Sequence, residues 1–184
     1  NVRVLVDKKL HDLEQNLNLM SSFDQKPEEA DHELFLGLDE KAKENATQFL
    51  DQKAISGEQL IGIHPGSSVE RGMILKRWSA ENFAEICKWF SEETNAKILL
   101  FGGQEEKGLR EDIAEKADGK PLVVTGLDFQ STAALIGRCK LFISNDSGLM
   151  HVAVSMGVPT AALFGPSDPG RTSPYGKEHK VIRT

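Results

Sequence analysis

The sequence predicts an α/β fold in which a parallel sheet is covered by helices on both of its faces. From residue 60 onward, short apolar segments alternate with segments whose apolar residues recur at helical spacing. This alternation is typical of parallel sheets, because parallel strands are joined by crossover helices. Polar loops follow the predicted strands, and ligands of such sheets bind beyond the carboxyl ends of the strands. Five of these loops hold the residues of interest: 64–68, 102–106, 125–127, 145–151 and 165–168.

The strands and helices of this region can be placed one by one. We expect strands over 60–64, 97–101, 122–124, 141–144, 160–164 and 180–182. Ser79 is placed to cap the first connecting helix, because a serine hydroxyl accepts a hydrogen bond from a free amide at a helix start. A second helix begins near Glu105 and a third covers 130–137. A fourth covers 148–156 and ends at Gly157.

The first 59 residues are more polar and less regular than the rest of the chain. An amphipathic helix over about 8–20 is predicted by four apolar residues at helical spacing, Leu10, Leu13, Leu17 and Met20. A polar linker over 21–31, a short strand over 33–36 and a helix over 39–53 are expected to follow.

Composition and charge exclude several classes of protein. Of the 184 residues, 39% are hydrophobic and 27% are charged, which is ordinary for a soluble globular domain. The apolar runs are far shorter than the roughly 20 residues needed to cross a bilayer. The net charge is −6 without a basic cluster, so we expect no nucleic-acid partner. The chain starts at Asn1 without a signal-peptide pattern, so we expect a fragment of a cytoplasmic protein.

No metal site is expected from the sequence. Cys87 and Cys139 lie within hydrophobic patterns, which predicts buried, reduced thiols. Neither an Asp-x-Asp pair nor a His/Cys cluster at ligand spacing is present.

The segment 145–151 predicts a phosphate site. An apolar strand runs directly into Asp146-Ser147-Gly148, and an apolar helix follows. Such a helix start leaves backbone N–H groups free for an anion. Asp146 is alternatively the N-cap of this helix, and His151 is alternatively a structural histidine, although it follows Ser147 by one helical turn and can face the same edge. The hydroxyl, carboxylate and imidazole suit a hydroxyl-rich anion, so a nucleotide sugar fits better than a bare nucleotide.

Two further segments supply candidate contacts to such a ligand. Gly66, Ser67 and Ser68 follow the first strand and offer close backbone approach and hydroxyl donors, or form an ordinary turn. Lys76 and Arg77 can neutralise a diphosphate, or are a solvated basic pair.

Acidic residues follow the next predicted strand. Glu105 or Glu106 is placed to accept ribose hydroxyls, as an acid does in dinucleotide-binding folds, or to stabilise the first turn of a helix. Leu127, after the third strand, covers an adenine ring or belongs to the core. Gly102-Gly103 does not form the Gly-x-Gly-x-x-Gly fingerprint of an NAD site.

The motifs taken together resemble the bacterial lipopolysaccharide heptosyltransferases, glycosyltransferase family 9. The resemblance lies in 145–153, 157–159 and 163–169, with 65–67, 76–78 and 101–102 in the same order. The sequences of 76–78 and 145–151 are most similar to those of the heptosyltransferase II branch. The resemblance covers 60–184 well and 1–59 loosely.

This resemblance implies a GT-B glycosyltransferase, of which 60–184 is the Rossmann-like, C-terminal donor-binding domain. Residues 1–59 are then the end of the N-terminal domain and the interdomain linker. The implied donor is ADP-L-glycero-D-manno-heptose, and the implied acceptor is a lipid-linked inner-core oligosaccharide. Transfer inverts the anomeric centre without a metal or other cofactor, at the inner face of the bacterial inner membrane, with which the parent enzyme can associate peripherally.

The resemblance also implies roles for individual residues. Lys76 and the backbone at Ser147-Gly148 meet the diphosphate, with Ser67, Ser68 and Arg77 beside them. Asp146 and His151 meet the sugar–phosphate region. Glu105 or Glu106 meets the ribose, and Leu127 the adenine.

Two departures from the family pattern limit what this chain is expected to do alone. The general base of the family is an Asp of the N-terminal domain, and no segment here matches it. The chain also ends before the usual closing helices, so we expect 60–184 to be incomplete at its C-terminus. The alternatives are another nucleotide-sugar enzyme of the same fold, such as an epimerase, and a non-catalytic nucleotide-sugar-binding module.

Overall fold

The computed structural model describes residues 7, 9–23, 33–67 and 74–183. The strands within these residues are β1 (Leu60–His64), β2 (Lys97–Leu100), β3 (Leu122–Val123), β4 (Leu141–Asn145), β5 (Thr160–Phe164) and β6 (Lys180–Arg183). The helices are α1 (Asp12–Asn18), α2 (Glu40–Gln52), α3 (Ala80–Glu93), α4 (Lys107–Lys116), α5 (Phe129–Ile136), α6 (Gly148–Ser155) and α7 (Pro169–Thr172). Short 3₁₀ helices cover Leu19–Phe23 and Gln104–Glu106.

The six strands form one parallel sheet in the order β3-β2-β1-β4-β5-β6. All six predicted strands are confirmed, each with ends within one residue of the expected ones. The order reverses between β1 and β4, because the chain moves outward to β3 and then returns to the middle of the sheet. A crevice at such a switch point is the usual ligand site of open parallel sheets.

Helices cover both faces of the sheet, as the alternation of side chains along the strands requires. On β2, Ile98 and Leu100 point into a core with α3 and α4, whereas Leu99, and Phe101 directly after the strand, point into a core with α2, α5 and α6. The strands β1, β2, β4 and β5 are buried on both faces, so their sequences read as largely apolar runs, whereas the edge strand β6 is exposed. The predicted fold class is confirmed.

The helix ends follow from local chemistry. Ser79 Oγ accepts a hydrogen bond from the amide of Asn82 at 3.2 Å, which confirms the predicted cap of α3. Asp39 and Asp128 cap α2 and α5 in the same way. Gly157 follows α6 with a φ of +71°, which favours glycine, so the predicted end of this helix is also confirmed.

The N-terminal region departs from the sequence prediction in part. The predicted strand over 33–36 is wrong, because residues 34–36 line a cavity beside α1 and do not pair with the sheet. Helix α2 forms as predicted and buries Ala42, Ala46, Phe49 and Leu50 in the core that it shares with α5 and α6. The predicted linker over 21–31 lies largely outside the described residues, and the division at residue 60 stays a prediction.

Two smaller expectations concern the cysteines and the membrane. Cys87 and Cys139 are buried free thiols, and burial raises the pKa of each to about 12. Across the part of the chain that the structure describes, none of the helices has the length and apolar character needed to span a bilayer.

Candidate functional site

A cavity of about 860 Å³ lies at the switch point of the sheet, beyond the carboxyl ends of β1, β2 and β4. We call it the first cavity. Its walls come from four of the five loops singled out in the sequence, together with the first turns of α5 and α6. They are lined by His64, Ser67, Gly102, Gly103, Glu105, Glu106, Leu127, Asp128, Phe129, Thr132, Ser147, Gly148, Leu149 and Val152.

The N-terminus of α6 faces the first cavity. Ser147 occupies the N-cap position, but its side chain makes no capping hydrogen bond. The interpretation of Asp146 as the N-cap is wrong, because the carboxylate of Asp146 forms an ion pair with Lys76 instead. Ser147, Gly148 and Leu149 all line the cavity, so the positive end of the helix dipole is directed at it. This is the arrangement that binds phosphate in other proteins.

A chain of hydrogen bonds connects the α6 N-terminus to the opposite wall. Ser147 Oγ lies 2.9 Å from His64 Nδ1, and His64 Nε2 lies 3.1 Å from Glu106 Oε2. His64 and Glu106 are each only 5% exposed. His64 pairs with Ser144 across β1 and β4, and Ser144 Oγ lies 2.9 Å from Ser147 Oγ. The geometry of these hydrogen bonds is therefore fixed by the register of the two central strands.

Glu106 is the centre of this polar cluster. It accepts hydrogen bonds from the amide of Gly103 at 3.0 Å and from Arg77 at 3.5 Å, in addition to His64. Burial raises the pKa of Glu106, but the hydrogen bond and charge of His64, the amide of Gly103 and the charge of Arg77 outweigh burial and lower it below its ordinary value. Gly66 is required beside it, since a Cβ there would lie 1.6 Å from Glu106 Oε1.

Glu105 has a different environment from its neighbour. Its side chain is exposed and lines the first cavity, whereas the carboxylate of Glu106 already binds three protein donors. Of the two acids, the geometry favours Glu105 for contact with a ligand. Leu127 lines the same cavity and also packs against the core. Its position therefore agrees both with contact to an adenine ring and with a place in the core.

The two predicted cations lie beside the first cavity and not in its lining. Lys76 pairs with the buried Asp146. Arg77 donates from Nε to Ser67 Oγ at 3.3 Å and from a terminal nitrogen to the Ser67 carbonyl. Lys76 therefore lies next to the loop before the α6 N-terminus, and Arg77 lies next to the turn at Ser67. Ser68 lies outside the described residues.

Asn145 was not singled out by the sequence analysis as a site residue, although it holds two of the site loops together. Fully buried, it donates to the carbonyl of Pro65 at 2.7 Å and accepts from the amide of Trp78 at 3.0 Å. His64 was grouped with the strand-end loops without a role. A polar residue at the end of an apolar strand is the signal that could have identified both.

His151 lies in a second cavity of about 610 Å³, between α1, residues 34–36, α6 and α7. The expectation that His151 shares an edge with Ser147 is not met, although both cavities contact Phe129 and Val152. Burial lowers the pKa of His151, partly opposed by the charge of Asp146. Within the described ranges, no three His, Cys, Asp or Glu side chains are grouped to hold a metal ion.

Comparison with known proteins places the chain in a family. Residues 1–184 match the model for glycosyltransferase family 9 (heptosyltransferase). The chain belongs to glycosyltransferase family 9. The family resemblance drawn from the sequence motifs is thereby confirmed.

Individual family 9 members show how much of such a protein is present here. The lipooligosaccharide heptosyltransferase 2 of Campylobacter jejuni is 35% identical over 132 residues, which are 69% of this chain and 40% of that protein. A crystal structure of a family 9 glycosyltransferase from Veillonella parvula matches 99% of this chain and 51% of its own, with a TM-score of 0.88 and 33% identity. The Escherichia coli ADP-heptose lps heptosyltransferase II matches 80% of this chain and 44% of its own, with a TM-score of 0.67 and 30% identity. The chain thus spans about half or less of the length of these family members.

Proposed function

We propose that this chain is the donor-binding part of an inverting, metal-independent heptosyltransferase that transfers L-glycero-D-manno-heptose from ADP-heptose to the lipopolysaccharide inner core. The observation that carries the proposal is the first cavity, where the uncapped N-terminus of α6 faces a polar wall at the switch point of a family 9 fold. Family 9 relatives named for ADP-heptose support the choice of donor.

The walls of the first cavity suggest the orientation of the donor. The diphosphate lies at the amides of Ser147 and Gly148, within reach of Ser67, which lines the same cavity. The ribose contacts Glu105 and the adenine lies against Leu127, both of which line the same cavity. The heptose then extends toward Asp146, and toward His151 past Val152, which lines both cavities.

The chemistry assigned to this chain is stabilisation of the leaving group. As the bond from the anomeric carbon to the β-phosphate oxygen breaks, negative charge grows on ADP. Lys76, Arg77 and the dipole of α6 stabilise that charge, which is the kind of electrostatic effect that is strongest in a preorganised site. Lys76 has to exchange its contact with Asp146 for one with phosphate, which leaves Asp146 available to the sugar. These cations take the place that a divalent metal occupies in other transferases.

The remaining parts of the reaction lie outside the described cavity walls. Inversion requires the acceptor hydroxyl to attack from the face of the sugar opposite to ADP. We propose that a general base of an N-terminal domain activates this hydroxyl, and that the same domain binds the lipid-linked acceptor. The enzyme would then work in the cytoplasm, at the inner face of the inner membrane, in peripheral contact with it.

Calorimetric titration of the chain with ADP, UDP, GDP and ADP-heptose tests the donor assignment. We expect ADP to bind more tightly than UDP or GDP, with a Kd between roughly 10 μM and 1 mM, because half of the interdomain cleft is not part of this chain. Equal affinity for the three nucleotides contradicts the adenine site. Preference for UDP-sugars favours an epimerase or another transferase.

The transfer reaction itself requires the joined domains. The full-length enzyme should transfer heptose in excess EDTA, and Asp146→Ala should lower turnover while ADP binding is retained. Loss of activity in EDTA that Mg²⁺ restores contradicts the metal-independent mechanism. ADP-heptose binding with no transfer to any inner-core acceptor favours a non-catalytic binding module.

A further inference from the structure

We infer that His64 is a positioning residue, held by Glu106, that directs the hydroxyl hydrogen of Ser147 toward a bound diphosphate, with uptake of a proton by His64 on binding. This inference rests on the proposed function, because it takes the diphosphate to lie at the N-terminus of α6. It gives His64 and Glu106 a part in donor binding that does not require either residue to contact the nucleotide.

The first step concerns the tautomer of His64. Glu106 receives the amide of Gly103 at 3.0 Å and Arg77 at 3.5 Å, so its carboxylate is held in the ionised, accepting form. An ionised carboxylate cannot donate, and the contact of 3.1 Å to His64 Nε2 therefore requires the imidazole to donate from Nε2. In the neutral imidazole, Nδ1 then carries no hydrogen and is an acceptor.

The second step concerns the hydroxyl of Ser147. A neutral His64 accepts at Nδ1, so the Ser147 hydroxyl at 2.9 Å donates its one hydrogen to the imidazole. The neighbouring Ser144 donates to the carbonyl of Asn145 at 2.8 Å, and its oxygen competes as an acceptor for the same hydrogen at 2.9 Å. In either arrangement the hydrogen of Ser147 points into the protein and away from the cavity.

The third step follows from adding a proton to His64. A doubly protonated imidazole donates from both nitrogens, so Nδ1 donates to Ser147 Oγ and no longer accepts from it. The hydroxyl hydrogen of Ser147 is then released and can donate to a phosphate oxygen in the first cavity, which Ser147 lines. Each donor keeps its proton: His64 gains one from solvent on binding, and Ser147 only rotates its O–H bond.

The charged groups around His64 are set by the fold. Glu106 contacts the imidazole directly, and Arg77 lies on the far side of Glu106. Arg110 donates to the carbonyl of Gly103, and the paired Lys76 and Asp146 adjoin Ser147 with opposite charges. A diphosphate at the α6 N-terminus adds negative charge next to this set. Binding of the anion and protonation of His64 therefore favour each other.

The same chain of groups serves the departing ADP. Charge grows on the β-phosphate as the glycosidic bond breaks, and a charged His64 behind Ser147 strengthens the hydrogen bond to that oxygen. His64 acts through Ser147 and does not itself need to touch the nucleotide. A purely structural histidine in this position would hold the loop but would not couple binding to proton uptake.

The experiment is titration calorimetry of the chain with ADP at about pH 7.5, in HEPES and in Tris, whose ionisation enthalpies differ. The difference in binding enthalpy between the two buffers gives the number of protons taken up. We expect uptake by the unmodified chain and none by His64→Gln, which keeps an amide to donate to Glu106 but cannot be protonated. His64→Gln should bind ADP about tenfold more weakly. His179→Gln, outside the walls of both cavities, should behave like the unmodified chain.

A double-mutant cycle tests the connection between His64 and Ser147. Ser147→Ala should weaken ADP binding in the unmodified chain and have much less effect when His64→Gln is already present. Circular dichroism of each variant confirms that it is folded, and His64→Asn is the second choice if His64→Gln is not. Equal proton uptake by the unmodified chain and the folded His64 variant, or additive effects of the two substitutions, overturns the inference and leaves the donor assignment intact. Absence of ADP binding by the unmodified chain overturns the proposed function, and this inference with it.

Discussion

The first and second cavities differ in the groups that form and support their walls. At the first cavity, His64, Ser144, Asn145 and Glu106 are buried polar groups that are hydrogen-bonded to protein partners. The second cavity is largely apolar and is bordered by exposed side chains, including Phe35, which is 86% exposed. Both cavities are several hundred Å³ in volume and share Phe129 and Val152 in their walls. Size alone therefore does not distinguish them.

The difference shows which feature identifies a binding site for an anion. Burying a polar side chain costs free energy unless its hydrogen bonds are satisfied, so a cluster of such groups persists only where the fold holds them in one geometry. At the first cavity this geometry comes from the adjacent strands β1 and β4. The second cavity has apolar walls with fewer such groups, and it depends on the shorter elements α1 and α7.

The largest effect is expected from Gly66→Ala, which places a Cβ against the carboxylate of Glu106. The substitution should lower the free energy of unfolding by about 2–3 kcal/mol and abolish measurable ADP binding, because Glu106 has to leave its three donors. Gly108→Ala is the control: the space around Gly108, in the first turn of α4, is open, and we expect a gain of less than about 1 kcal/mol. Denaturant titration measures both. A stable Gly66→Ala protein that binds ADP normally shows that the Glu106 cluster is dispensable.

Lys76→Ala should have the next largest effect. Loss of this cation should weaken ADP binding about tenfold. It should also lower the free energy of unfolding by about 1–2 kcal/mol, because Asp146 is buried and loses its ion pair. Adding Asp146→Asn should recover stability without recovering affinity. Lys120→Ala removes the Lys120–Glu92 pair away from both cavities and should leave ADP affinity unchanged. If calorimetry finds unchanged affinity for folded Lys76→Ala, Lys76 only holds Asp146 in place.

Glu105→Gln tests the assignment of the ribose to the exposed acid. ADP affinity should fall about fivefold, while the affinity for 2′-deoxy-ADP, already low, should change little. Glu111→Gln, an exposed acid on α4, is the control and should bind both nucleotides normally. Equal loss for both nucleotides indicates that Glu105 acts elsewhere than at the 2′-hydroxyl.

His151 at the second cavity and Glu106 at the first should affect the free energy of unfolding in different ranges of pH. The pKa of His151 lies below its ordinary value of 6.5, so the unfolded chain takes up a proton before the folded one does. Stability should therefore fall as the pH drops below 6.5, until His151 is protonated in the folded protein too. Glu106 has a pKa below 4.5, and its contribution should be lost only as the pH falls below that value. Denaturation over a pH series should show a shallower decline near pH 6 in His151→Gln. His179, whose pKa is also lowered by burial, contributes in the same direction, and His179→Gln removes its share.

The smallest effect is expected from Phe35→Ala at the second cavity. This side chain is largely exposed, so ADP affinity should change less than about twofold and stability should be nearly unchanged. Calorimetry with ADP measures the affinity. A clear loss of affinity would mean that part of the nucleotide binds in the second cavity. The first cavity would then not be the whole nucleotide site.

The sequence by itself determined the sheet, the connecting helices and the family. These follow from local patterns: apolar runs bounded by turns, stripes at helical spacing, the Ser79 cap and Gly157 at the end of α6. The turn at 145–148 was also predictable, because an apolar strand followed by Asp-Ser-Gly and an apolar helix is a local signal. The predicted strand at 33–36 was wrong because a short apolar alternation does not specify a pairing partner.

Tertiary structure alone decided how the polar residues combine. His64 lies 42 residues from Glu106 and 83 from Ser147, and Lys76 lies 70 residues from Asp146, so no local pattern connects them. The choice between Glu105 and Glu106 depends on a short 3₁₀ turn, in which adjacent residues point in different directions and only Glu106 is turned inward. Asp146 was free to pair with Lys76 because Ser147, one residue later, occupies the N-cap position of α6. Side-chain partners of this kind are set by strand register and by the packing of loops, and these exist only once the sheet has formed.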